Sequence, residues 1–287
     1  MTRAPEWQTA VFGVCAMVAA LLQLSLQPGI ATQLLLLAPL IAIFGLPHGA
    51  LDLPMAETLW PLDGCRGKLR FMAIYLGLVA CVIGLWIVLP GAALVAFLAY
   101  SALHFSDDWS HAASPLRWTG GLATIGAPAL LHHAEVTTLF AYLVPAGAAS
   151  WAAAAAAIAG GVAGVGFVVT VLFRPQTRER AALEQAILWG LAALLPPLVY
   201  FTVYFCGLHS IRHFDATIRS VPRARRALVT AAGLSAAVTL TGALLLYARS
   251  GSDSLTAEGG GMQVIFIGLA ALTVPHMLLV DRFKRRG

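Results

Sequence analysis

The stretch GLHSIRHF sets His209 and His213 four residues apart. On an α-helix that spacing puts both side chains on one face, so a single helix can offer two imidazole nitrogens to one ion. Two more histidines sit in similar local settings. His48 lies in FGLPHGALD, between a proline and a glycine, and His104 lies in LHFSDDW, ahead of two aspartates. Four imidazoles brought to one level suit a divalent transition metal such as iron, zinc or copper. Carboxylates lie close in the chain: Asp52 four residues after His48, Asp107 and Asp108 after His104, and Asp215 two residues after His213. A metal-bound histidine usually gives its second N–H to a carboxylate or carbonyl, which makes Asp52 and Asp108 candidates to orient the ligands from behind. The competing reading is plainer. A lone histidine at the end of an apolar stretch is more often an interfacial hydrogen-bonding residue, and the aspartates after His104 read equally well as solvated loop charges.

Whether the four imidazoles meet depends on the elements that carry them. Hydrophobic residues make up 59% of the chain and charged residues 11%. A soluble domain carries about 25% charged residues, so this composition cannot coat a water-facing surface. Apolar runs of about twenty residues match the length that crosses a bilayer as helix. The short alternating segments of a barrel are missing. The expectation is an all-α, polytopic integral membrane helical bundle forming a single transmembrane catalytic domain over residues 1–287. Spans are expected near 10–26, 31–48, 69–89, 91–105, 118–133, 147–173, 183–195, 197–211, 227–248 and 262–280. That is about 8–10 membrane segments, some of them short or broken. The first resembles a signal sequence, and a retained span is the expected outcome because the rest of the chain is also membrane-embedded. The sixth, rich in alanine and glycine, has Gly160 and Gly164 four apart, which permits close helix packing.

Charge fixes the expected orientation. The net charge of +5 does not point to nucleic acid, because the basic residues flank the spans. Pro196-Pro197 interrupts the stretch 183–214 and disfavours one straight helix. If the chain crosses twice there, with the N-terminus inside, only Arg249 of the eighteen lysines and arginines falls outside. If it crosses once, they divide evenly. The positive-inside rule selects two crossings, with both termini cytoplasmic in a multi-pass protein of the cell (inner) membrane. His48, His104, His209 and His213 then end inward-going spans, and His276 lies in the last one. His132 and His133 fall at the opposite face and His111 in a loop. Trp60, Trp86, Trp109, Trp118 and Trp189 fall near span ends, where an interfacial belt is expected. Cys15, Cys65, Cys81 and Cys206 form no CxxC pair and read as packing residues.

PHGALD around His48, HFSDD around His104, GLHSIRHF around His209 and His213, and PHMLLVDRF around His276 resemble the Brp/Blh family of bacterial and archaeal β-carotene 15,15′-dioxygenases. The resemblance runs from about residue 40 to the end of the chain. It implies a membrane non-haem Fe(II) enzyme that cleaves the central double bond of β-carotene with dioxygen, giving two molecules of retinal that commonly serve a microbial rhodopsin. The implied iron ligands are His48, His104, His209 and His213. His276 matches a family histidine whose role stays open between a fifth ligand, a hydrogen-bond donor behind the ligands, and a pocket residue. Phe97, Tyr100, Phe201, Tyr204 and Phe205 are candidates to line a tunnel for the polyene, with ordinary helix packing the competing reading. The rival classes are a haem-binding electron carrier with histidine axial pairs and a polytopic transporter with a broken helix at its centre. A membrane di-iron oxygenase needs more histidine boxes than the one HxxxH present.

Overall fold

The computed structural model describes residues 5–62, 64–174, 180–221, 226, 228–229, 233 and 254–284. Among the described residues there is no strand. In chain order the helices are α1 (Glu6–Leu26), α2 (Ile30–Ala50), α3 (Asp52–Leu59), α4 (Gly64–Val88), α5 (Pro90–Phe105), α6 (Ser114–Leu131), α7 (His133–Ala141), α8 (Ala146–Phe173), α9 (Arg180–Leu194), α10 (Pro197–Tyr204), α11 (Ser210–Ser220) and α12 (Ser254–Lys284). A 3-10 turn, Ser106–Trp109, follows α5, and a π turn, Phe205–His209, joins α10 to α11. Helix starts follow local chemistry. Pro197 opens α10, where the missing N–H is one that no helical carbonyl would accept. The break expected at Pro196-Pro197 is present: α9 ends at Leu194 and Pro196 is extended at φ −56°, ψ 149°. Helices α3 and α7 are additions to the expected set, of 8 and 9 residues. The expected span 227–248 lies outside the described residues.

Among the described residues four helices are long and apolar enough to cross a membrane: α1, α4, α8 and the Gly259–Phe283 part of α12. Ile158, Val162, Val165, Val169 and Leu172 of α8 are exposed to the outside of the protein. Such an outward apolar face suits hydrocarbon as its solvent, and helices satisfy their own backbone groups there. The chain is an all-α, polytopic membrane protein.

The chain divides into two compact units. The first comprises residues 1–33 and 91–212, the second 34–90 and 213–287. In the first unit α6 packs against α8, α9, α10 and the Ser106–Trp109 turn. The approach is closest where glycines face each other. A Cβ on Gly126 would stand 2.3 Å from the backbone nitrogen of Gly160, so the backbones of α6 and α8 touch directly. This is the close packing expected for Gly160; Gly164 instead seats the ring of Trp189. Gly121 faces the Ala102 carbonyl and Ser106, and Gly120 faces the Trp109 ring, each at 2.3 Å from a would-be Cβ. These two positions dock the end of α5 and its turn onto α6. In the second unit Met55, Ala56 and Leu59 of α3 form a core with Leu279 and Val280 of α12, flanked by Leu62, Phe71 and Phe283.

Candidate metal centre

In the first unit the end of α5 and the π turn bring two histidines together. His104 and His209 meet edge to face with ring centroids 4.8 Å apart. His209 is buried, and Asp108 of the 3-10 turn backs it: Nδ1 donates to Oδ2 at 3.1 Å. Tyr204, fully buried, donates its hydroxyl to the same oxygen at 2.5 Å. The π turn makes this double contact available. Its Ser210 N–H bonds back five residues to the Phe205 carbonyl, which stacks residues five apart. Tyr204 and His209 are five apart, and both reach Asp108. The rings of Phe105 and Phe205 close around His209 at centroid distances of 4.9 and 5.6 Å. Burial works to raise the Asp108 carboxyl, but His209, Arg212 and the Tyr204 hydroxyl outweigh it and hold it below the usual carboxylate range. Burial, and then the Arg212 charge, hold His111 below the usual imidazole range.

The second unit carries a counterpart. His213 and His276 also meet edge to face, with centroids 4.9 Å apart. His276 is buried, and its Nδ1 donates to Oδ1 of Asp52 at 2.7 Å. Asp52 is 1% exposed and occupies the first turn of α3, where the helix dipole favours negative charge. The sequence suggested Asp52 as a partner of His48 one turn earlier; its carboxylate is held by His276. His48 itself lies in α2, and its side chain is outside the described residues.

In both pairs the carboxylate takes the N–H of Nδ1, which leaves Nε2 as the basic nitrogen of the ring. Metal ligands are commonly held this way, and imidazole suits iron, so the donor chemistry fits the metal that the resemblance implies. Among the described residues no three histidine, cysteine or acidic side chains gather as a metal-binding group. The other histidines take other parts. His132 closes the corner after α6 through Nε2, 2.9 Å from the Ala192 carbonyl.

Two expectations are corrected. Asp108 is not a solvated loop charge but 8% exposed. Trp109 is not an interfacial anchor. It is fully buried, its indole N–H donates to Glu184 at 3.1 Å, and Trp86 is buried too. Tyr204, a candidate tunnel residue, commits its hydroxyl to Asp108. Sequence reasoning missed Glu184, fully buried and held by Trp109, Thr9 and Arg212. The signal was there: an acid inside the apolar run AALEQAILWG, where ionisable residues are expensive and mark function or a designed pairing.

The fold and these sites define a polytopic helical membrane protein with buried histidines backed by carboxylates. The chain belongs to the beta-carotene 15,15'-dioxygenase family, which matches residues 39–284. Among curated relatives, it is 32% identical over 253 residues to a beta-carotene 15,15'-dioxygenase from an uncultured marine bacterium, covering 84% of this chain and 90% of that one. It is 28% identical over 299 residues to a probable beta-carotene 15,15'-dioxygenase, Blh, of Halobacterium salinarum, covering 86% and 84%. No solved structure matches the chain. Family membership selects the dioxygenase reading over the haem carrier and the transporter.

Proposed function

We propose that this chain cleaves β-carotene at its central 15,15′ double bond with dioxygen, giving two molecules of all-trans-retinal, and that it does so as one catalytic domain. The observation that carries the reading is the match to the family over residues 39–284, which include every histidine motif of the sequence. In this reading His48, His104, His209 and His213 hold iron(II), and His276 serves as a fifth ligand, as a donor behind the ligands or as a pocket residue. Support comes from the donor chemistry. His209 and His276 each have Nδ1 tied to a buried aspartate, which presents Nε2 to a metal.

Bound iron supplies the dioxygen activation. The conversion loses one C=C bond and forms two C=O bonds, so it consumes one dioxygen and requires neither a protein nucleophile nor a net proton. The chain's own task is therefore to bind, orient and keep water out. Asp108 and Asp52 fix ring orientation. Phe105 and Phe205 surround His209 with apolar surface, and Phe201 stacks on Phe205 at 5.3 Å. That lining suits a hydrocarbon polyene that arrives through the bilayer. Placement in the cell (inner) membrane with both termini cytoplasmic rests on the distribution of lysine and arginine. In this reading the retinal supplies a microbial rhodopsin, as the family resemblance implies.

Expression in β-carotene-producing bacterial cells tests the proposal. Wild type should bleach the orange colour and form retinal, and His209→Ala should do neither. Persistence of β-carotene beside well-expressed, iron-loaded wild type would overturn the substrate assignment. A C-terminal reporter found outside the cell would overturn the topology.

A further inference from the structure

Glu184 is buried without any part in the histidine pairs, and its partners explain why it matters. Its carboxylate accepts from three separate elements: the Thr9 hydroxyl of α1, the Trp109 indole N–H of the 3-10 turn at 3.1 Å, and Arg212 Nη2 of α11 at 2.6 Å. A carboxylate this deep is tolerated only with such pairing. Arg212 then reaches onward. Its second terminal nitrogen, Nη1, donates to the backbone carbonyl of Asp108 at 2.7 Å. Asp108 in turn orients His209. The guanidinium thus forks, with one arm on Glu184 and one on the turn that holds Asp108, a geometry that lysine cannot copy.

We infer that Glu184 is a positioning residue for the metal centre. Through Arg212 and Trp109 it fixes the Ser106–Trp109 turn against the start of α11, directly after the π turn that carries His209, so that the Asp108 carboxylate stays on Nδ1 and Nε2 stays aimed. The inference rests on the reading of His209 as an iron ligand. A positioning role differs from a purely structural one in what it moves. Loss of an ion pair that only stabilises lowers thermal stability and leaves ligand geometry alone. Loss of a positioning pair changes the metal site itself.

The test uses full-length protein purified in detergent: wild type, Glu184→Gln, Glu184→Asp and Arg212→Lys. Each is titrated anaerobically with Fe(II) and separately with Co(II), whose ligand-field absorption reports coordination geometry. Glu184→Gln and Arg212→Lys should bind Fe(II) about 10–100-fold more weakly, with shifted Co(II) bands. Their kcat should fall while KM for β-carotene stays within about twofold. Glu184→Asp, shorter but still charged, should recover part of the affinity. If Glu184→Gln does not accumulate as folded protein, Arg212→Lys carries the same comparison. Wild-type Fe(II) affinity and an unchanged Co(II) spectrum in the folded variants overturn the inference, whatever happens to thermal stability. Failure of wild type to bind either ion, or equal binding by His209→Ala, overturns the ligand reading itself and the inference with it.

Discussion

Each unit holds two imidazoles edge to face, one of them tied through Nδ1 to a buried aspartate, yet the two arrangements are braced in different ways. In the first unit Asp108 is held from several sides. It takes hydrogen bonds from His209 and Tyr204, its carbonyl takes one from Arg212, and its neighbour Trp109 is pinned by Glu184. In the second unit Asp52 takes the Nδ1–H of His276 and lies beside the Tyr75 hydroxyl, and its remaining support is a place in the first turn of α3 over an apolar core. A network of polar contacts polarises its members, so a deletion at the centre of the larger network reaches more of them. The first arrangement therefore spends its contacts on rigidity, and the second relies on burial.

The comparison can be broken or sharpened by substitution. The largest effect is expected from the ligand itself. In His209→Ala, retinal formation in carotene-producing cells should fall by more than the roughly 100-fold that bounds the loss of residues behind a ligand. Next come the two aspartates. Asp108→Asn should lower iron affinity and activity by about 10–100-fold, and Asp52→Asn by about tenfold, both read by metal titration and retinal yield. Equal losses would erase the contrast between the larger network and the smaller one. Gly121→Ala tests the seat of the first arrangement. Its new methyl meets the Ala102 carbonyl at 2.3 Å, and overpacking of this kind costs about 1–3 kcal/mol, visible as a lower thermal midpoint. The smallest effect belongs to Tyr204→Phe. It removes one hydrogen bond and leaves His209 on Asp108, at about 0.5–1.5 kcal/mol in stability. A much larger loss of activity there would make the tyrosine more than a brace.

How much of this was legible in the sequence follows from what each feature depends on. Composition and run length disclosed the membrane-spanning helices, because hydrocarbon leaves a chain few alternatives. The paired prolines marked the break before α10, because proline lacks the N–H that a continuing helix needs. The histidines stood out because imidazoles are conspicuous among alanine and leucine. Pairings across long separations were not legible. Asp52 and His276 are 224 residues apart, and nothing local in either motif names the other. Nearness along the chain pointed to His48 beside Asp52, whereas His276 reaches it from the far end of the chain. Trp109 was misplaced for a related reason. Tryptophan at a span end is usually an amphipathic anchor, and only the presence of Glu184 inside the unit gives its indole N–H a buried use. The short helices α3 and α7 carried no periodic signal long enough to read.

The π turn at Phe205–His209 gives chain length a meaning of its own. An α-helix turns about 100° per residue, so positions five apart diverge by about 140°. One surplus residue between Phe201 and Ser210 brings Tyr204 and His209 into phase. Wound as a regular α-helix, the same segment would keep every side chain and still point the tyrosine away from Asp108. In this segment the winding of the backbone, as much as the identity of its residues, decides which side chains reach Asp108.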